Sequence, residues 1–278
     1  MRRRRSLWPQ FGRPLAIFLT VGLVAFPMLW MMSSSFMPFD ELFGRQLRLL
    51  PSNPTLQHYS DLLVRARFPR YFANSTIVAM LATVGAIFCA VLAGYGLTRF
   101  QFRGKGAISG TVLVSYMFPP ILMAIPLFVM LKQAGLANNV FGLALAHISF
   151  AMPLAMWLSA IFFRAIPLEL DEAAMIDGAS RLTTLWRVIL PVAGPGVVAI
   201  AVFVFVLSWN DYLFSLVLMV SDANKTLPVG VAGFQEATSV EWGLIMAGGV
   251  LITLPVLLGF MFVQRWLIEG MGAGAVKE

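Results

Sequence analysis

Charge is scarce in this chain. Only 12% of its 278 residues are Asp, Glu, Lys or Arg, about half the share of a soluble domain. With 59% of residues hydrophobic and a mean hydropathy of +0.82, the polar surface cannot cover a soluble fold, so lipid is the solvent for most of the chain. Cysteine is nearly absent. The single Cys89 lies in an apolar run, has no partner for an internal disulfide, and reads as inert packing. Two histidines and no Cys/His cluster exclude a zinc site. No G-x-x-x-x-G-K-[ST] segment exists, and Gly104-Lys105-Gly106 is only a basic turn, so the chain has no phosphate loop of its own. Acidic residues number 13, and nearly all fall in loops. A proton-coupled carrier places several ionisable groups in its spans. An intramembrane enzyme needs paired aspartates, a metal set, or a nucleophile with its base. One span aspartate, Asp211, supplies neither.

What is abundant is apolar length. Six segments are long enough for a helix of about 20 residues across a bilayer, at 14–34, 72–98, 107–131, 141–163, 191–220 and 244–266. The first is too long for a cleaved leader and no small-residue cleavage site follows it, so it reads as an uncleaved span. The net charge of +7 does not mark a nucleic-acid partner, because the cations sit in short loops and in the basic N-terminus, residues 1–13. With the N-terminus in the cytoplasm, 13 of the 20 Lys and Arg residues fall on that side. This predicts a multi-pass protein with both termini cytoplasmic. The membrane body is then 14–278, with an external loop at 35–71 and a cytoplasmic loop at 164–190. A short surface helix is expected over 56–64. Helix breakers occur at Pro27, Pro119-Pro120, Pro126, Pro153 and Pro255 and predict an irregular, kinked third span. Gly94, Gly96, Gly248 and Gly249 permit close helix contacts.

The cytoplasmic loop has its own grammar. Pro167 suits a first helical turn, and Glu169, Asp171 and Glu172 suit its positive end. A short helix over 168–176 follows, with Gly178 as a left-handed stop. Ser180 is placed to cap a second helix over 181–189, and Pro191 marks entry to the next span. Small Ala173 and Ala174 let the first helix sink into a groove. Glu172 and Asp177 offer acceptors there, and Leu182, Leu185 and Trp186 give the second helix an apolar face. These residues suit a protein-docking surface and equally an interfacial helix lying on lipid.

Glu172-Ala173-Ala174, then Asp177-Gly178-Ala179 and Leu190-Pro191, resemble the EAA loop of ABC importer permeases. Val188 replaces the isoleucine common there. Trp209-Asn210-Asp211-Tyr212 and the stretch from Gly270 to Lys277 resemble the carbohydrate branch. Within it they resemble the six-span permease of maltose importers and mycobacterial-type trehalose importer subunits. The resemblance implies an all-α membrane protein of the type I importer permease fold, with six spans and a coupling-helix loop. It implies transport of an oligo- or disaccharide, trehalose among them, and no catalytic residues. ATP and Mg would sit on two partner ATP-binding subunits, with none bound by this chain. Further implied partners are a second homologous permease, an extracytoplasmic sugar-binding protein and membrane lipid. Glu172, Ala173, Ala174, Asp177, Gly178, Leu182 and Pro191 would couple to the ATPase. The competing class is an ion-coupled secondary carrier.

Sugars are recognised by hydroxyl hydrogen bonds and aromatic stacking. Trp209, Asn210, Asp211 and Tyr212 supply both, although four consecutive helical residues cannot all face one cavity. His147, expected at the head of the fourth span, reads as structural.

Overall fold

The computed structural model describes residues 8–42, 44, 48–64, 66–235 and 240–275. The arginines 2–5 and Arg45, Arg65 and Lys277 lie outside them. Among the described residues the chain is helical, apart from loops and one isolated β-bridge between Gln235 and Val240. The helices are α1 (Trp8–Ser35), α2 (Phe39–Leu42), α3 (Gln57–Val64), α4 (Phe68–Arg99), α5 (Lys105–Tyr116), α6 (Pro120–Gln133), α7 (Val140–Arg164), α8 (Glu169–Ile176), α9 (Arg181–Thr184), α10 (Leu190–Val192), α11 (Gly194–Trp209), α12 (Leu213–Leu218), α13 (Leu227–Ala232) and α14 (Trp242–Ala275). The residues divide into two compact units. One comprises Met1–Phe68 and Val231–Leu254, the other Pro69–Gly230 and Pro255–Glu278.

Four segments are unbroken, apolar and long enough to cross a bilayer: Pro14–Ser35 of α1, all of α4, all of α7, and Trp242–Met261 of α14. The third expected span is two helices, α5 and α6, bent by 102°. The cause is local. A residue before proline is pushed out of the helical region, and Pro119, which precedes Pro120, sits at φ −60°, ψ 125°. Pro120 then starts α6, where its missing N–H costs nothing. The other prolines named as breakers lie inside continuous helices: Pro27 in α1, Pro126 in α6, Pro153 in α7 and Pro255 in α14.

The fifth segment also differs from expectation. The helix over 181–189 runs on to Val192, and the 83° bend falls between Arg181–Val192 and α11. Pro191 therefore precedes the corner instead of opening the span. A five-residue π turn, Leu185–Ile189, leads into it. Proline cannot donate to the preceding turn and crowds its carbonyl, and a π turn widens the helix at that place. Beyond the corner α11 has 16 residues, about 24 Å, too short for the ~30 Å hydrocarbon core. After a break at Asn210–Tyr212, the chain continues into α12.

The first unit holds described parts of the loop after α1 in place. The ring of Tyr59 on α3 lies 5.3 Å from that of Phe36, and its hydroxyl meets Ser35 Oγ at 2.7 Å. His58 Nε2 lies 2.8 Å from the Met37 carbonyl, the Thr55 amide donates to Phe36, and Leu62 is fully buried. The expected short helix is present, as an anchored element. Met31 and Gly249 are packed so closely that a Cβ on the glycine would lie 2.7 Å from the Met31 sulfur.

In the second unit, α4, α7 and α11 share a core of Ala86, Ala90, Ala151, Ala155, Ile200 and Val204. A Cβ at Gly94 would lie 2.6 Å from Ser159 Cβ, so glycine permits the α4–α7 approach. Gly96, expected to serve the same purpose, faces open space. Cys89 is exposed on the outer face of α4, not packed in the core.

Contacts at the two ends of this unit fix how often its segments cross. Arg99, ending α4, pairs with Asp171 on α8. At the opposite end Asn138, after α6, accepts from Ser221 and Asn224, and Arg70 and Asn74 of α4 donate to the Ala223 carbonyl. The chain between Arg99 and Asp171 therefore leaves one side and returns. Since α7 crosses once, α5 and α6 together cross once.

Candidate functional site

Two places in the second unit combine exposed side chains with a buried polar framework.

The first is the loop after α7. α8 ends as expected. Gly178 stands at φ +84°, its amide donates to the Met175 carbonyl at 3.1 Å, and the Ala179 amide donates to Ala174 at 3.0 Å. This is the paired closure of a Schellman motif, in which the left-handed residue is usually glycine. The Ser180 hydroxyl accepts from the Thr183 amide and caps α9. Glu172, Ala173, Ile176, Asp177 and Gly178 are exposed, and Ile176 reaches 86% exposure although it is large and apolar. Ala174 and Met175 are half-buried and turn toward the fold. On the second helix Leu182 and Pro191 are exposed, and Trp186 stacks on Phe88 at 6.3 Å. Leu185 is fully buried with Ile189, Phe163 and Val91, so the expected apolar face of 182, 185 and 186 is divided between outside and core.

Asp171 was legible only as one of three first-turn acids. It is 2% exposed. Its Oδ1 accepts from the Tyr95 hydroxyl at 2.9 Å, and its Oδ2 lies 2.9 Å from Arg99 Nε. Arg99 Nη2 also donates to the Ile166 carbonyl at 3.0 Å. Tyr95 packs edge-on against Phe163 and Phe100, and the Arg181 guanidinium stands 5.3 Å from the centre of the Phe100 ring.

The second place is the break after α11. The helix ends at Trp209, so of the four residues expected to lie on it only Trp209 does. Trp209 is 1% exposed, stacked on Phe205 at 5.6 Å and edge-on to Phe72 at 5.4 Å. Asp211 turns inward and caps α12. Its carboxylate accepts from the amides of Phe214 and Ser215 and from the Ser215 hydroxyl. His147 lies well inside α7, not at its head, and is 1% exposed. Its Nε2 is 3.1 Å from Asp211 Oδ2 and its Nδ1 is 2.6 Å from Ser208 Oγ. Both ring nitrogens therefore face polar side chains. Asn210 and Tyr212 turn outward and are exposed. The break therefore presents one amide and one phenol on a buried Trp209–Asp211–His147 base.

A groove of about 330 Å³ between α4, α11 and α14 is lined by Val198, Val202, Phe205, Pro255 and Phe260, with Thr83 as its polar group. It has too few polar groups to orient a sugar. Among the described residues no three His, Cys, Asp or Glu side chains could hold a metal.

The family model described as "Binding-protein-dependent transport system inner membrane component" matches residues 82–272. The chain is 36% identical to the trehalose transport system permease protein SugB of Mycobacterium tuberculosis, over 99% of this chain and 98% of that protein. It is 35% identical to the inner membrane ABC transporter permease protein YcjP of Escherichia coli, over 95% of this chain and 94% of that one. In fold it resembles a chain of a bacterial ABC transporter involved in the import of the acidic polysaccharide alginate. The TM-score is 0.78 at 21% identity, over 95% of this chain and 99% of the other.

Proposed function

The chain belongs to the family of binding-protein-dependent transport system inner membrane components, and from that premise we propose that it is the permease subunit of an ATP-driven sugar importer. The observation that carries this reading is the helix–turn–helix at 169–192. It exposes Ile176, Leu182, Glu172 and Asp177 to a partner while its inner face is held by the buried Asp171. A large apolar side chain left exposed beside acceptors is the composition of a docking surface. Glu172, Ala173, Asp177, Gly178 and Leu182 meet the ATP-binding subunit. Ala174 and Pro191 shape the loop behind them. Two such subunits hold ATP and Mg, and this chain binds neither and catalyses nothing.

A second homologous permease completes the pathway, and a sugar-binding protein delivers the substrate from outside. Both termini are cytoplasmic. The substrate is an oligo- or disaccharide, with trehalose the first candidate because SugB carries that name. Asn210 and Tyr212 touch the sugar, while Trp209 and Asp211 hold them in place. The same pattern argues against an ion-coupled carrier, since Asp211 already accepts from two amides and one hydroxyl.

The test is ATPase activity of the complex assembled from this chain and the ATP-binding, permease and binding-protein subunits encoded beside it. Stimulation by binding protein loaded with trehalose, above that with maltose or with empty protein, is the expected result. Failure to assemble with any ATP-binding subunit sinks the reading.

A further inference from the structure

The inner face of α8 is fastened to α4 by a buried ion pair. Asp171, Ala174 and Met175 lie on one side of the helix, as i, i+3 and i+4 positions do, and all three turn toward the fold. The Arg99 and Asp171 side chains are each 3% exposed. Neither charge has water to fall back on, so either one alone is strongly unfavourable there. Arg99 reaches α8 with one arm and the Ile166 carbonyl beyond α7 with the other. Tyr95, one turn earlier on α4, occupies the second carboxylate oxygen. Both short helices are tied to the end of α4, because Arg181 of α9 sits over the ring of Phe100, the residue that follows α4.

We infer that the Asp171–Arg99–Tyr95 cluster is the joint that makes α8 and the adjoining end of α4 move as one body, with Asp171 a positioning residue for coupling. A partner that grips the outer face of α8 then displaces a membrane-spanning helix and not merely a loop. Without the joint, α8 can swivel on the chain at Pro167 and Gly178, and the same grip is spent on that rotation. This rests on the reading of 164–190 as the ATPase-docking loop.

The experiment uses the full complex in lipid, with trehalose-loaded binding protein. Asp171→Ala is expected to keep co-purification with the ATP-binding subunit, because Glu172, Ala173 and Asp177 are untouched. Its stimulated ATPase activity and transport are expected to fall about tenfold while the unstimulated rate holds. Tyr95→Phe, which removes one hydrogen bond and no charge, falls less. The exchange Arg99→Asp with Asp171→Arg recovers part of the loss, which a general packing defect would not permit. A sugar-independent readout, in a Cys89→Ser background, is the distance between nitroxides at Gly96→Cys, an open position, and Glu169→Cys, exposed on α8 apart from the docking residues. It stays the same with and without vanadate-trapped nucleotide in the parent, and broadens in Asp171→Ala. Normal stimulation in Asp171→Ala overturns the joint, as does a parent distance that changes with nucleotide. Loss of co-purification also overturns it, by making Asp171 a docking residue. A parent complex that assembles but ignores every sugar refutes the proposed substrate and leaves the nitroxide test standing.

Discussion

At the scale of single residues, rules confined to a few neighbours were readable and those spanning the chain were not. Gly178 and Ser180 obey local geometry, so their roles followed from sequence: a left-handed stop at φ +84° and a cap. Asp171 and its partner Tyr95 are 76 residues apart, and His147 and Ser208 are 61 apart. No periodicity marks such pairs, and an acid in a first helical turn already has an adequate explanation in the helix dipole. Gly178 carries a testable consequence. A Cβ there would meet no atom of the chain within 4 Å, so the cost of substitution within the chain is conformational. It is about 1–2 kcal/mol for an ordinary side chain in the left-handed region, and more for a β-branched one. Gly178→Asn, which tolerates that region, is expected to transport nearly as the parent does. Gly178→Val is expected to insert normally and lose most transport. Equal activity of the two variants would show that the turn's conformation is irrelevant to coupling.

At the scale of elements, hydropathy located the apolar segments, and proline marked one of the two bends, at Pro119-Pro120. Length and apolar character are sums over twenty residues and survive local error. Whether a proline breaks a helix depends on what receives the freed carbonyl, and α1, α6, α7 and α14 all run through one. Of the prolines named as breakers, Pro119-Pro120 alone interrupts a span, because the first proline is itself a residue before proline. The bend has a measurable size. Helices of 12 and 14 residues are about 18 and 21 Å long, so at 102° their far ends stand roughly 25 Å apart, against ~43 Å for one straight helix. Nitroxides at Gly106→Cys and Gln133→Cys, with the exposed Cys89 replaced by serine, are expected to report the shorter value. Replacing both prolines by alanine should lengthen it. The longer distance in the parent would contradict the bent pair.

At the scale of the whole molecule, the charge count and the side-chain contacts meet on one question, the side of the membrane that each loop occupies. The charge rule alone gives 13 cations against 7, since the loop 35–71 on the opposite side is itself basic. The Arg99–Asp171 pair adds a constraint independent of charge counting: the loop after α4 and the loop after α7 must share a side. The cluster of Asn138, Arg70 and Ala223 puts the loop after α6 and the loop after α12 together on the other. A cytoplasmic coupling loop then requires that α5 and α6 cross together, for a re-entrant pair would carry Asp177 outside. Single cysteines in the Cys89→Ser background decide this in intact cells with a membrane-impermeant maleimide. Gln133→Cys is expected to label from outside. Gln101→Cys and Asp177→Cys are expected to label only after permeabilisation. Outside labelling of Asp177→Cys with protection of Gln101→Cys would break the ion pair's constraint as well as the topology, since one bilayer cannot separate two residues whose neighbours touch.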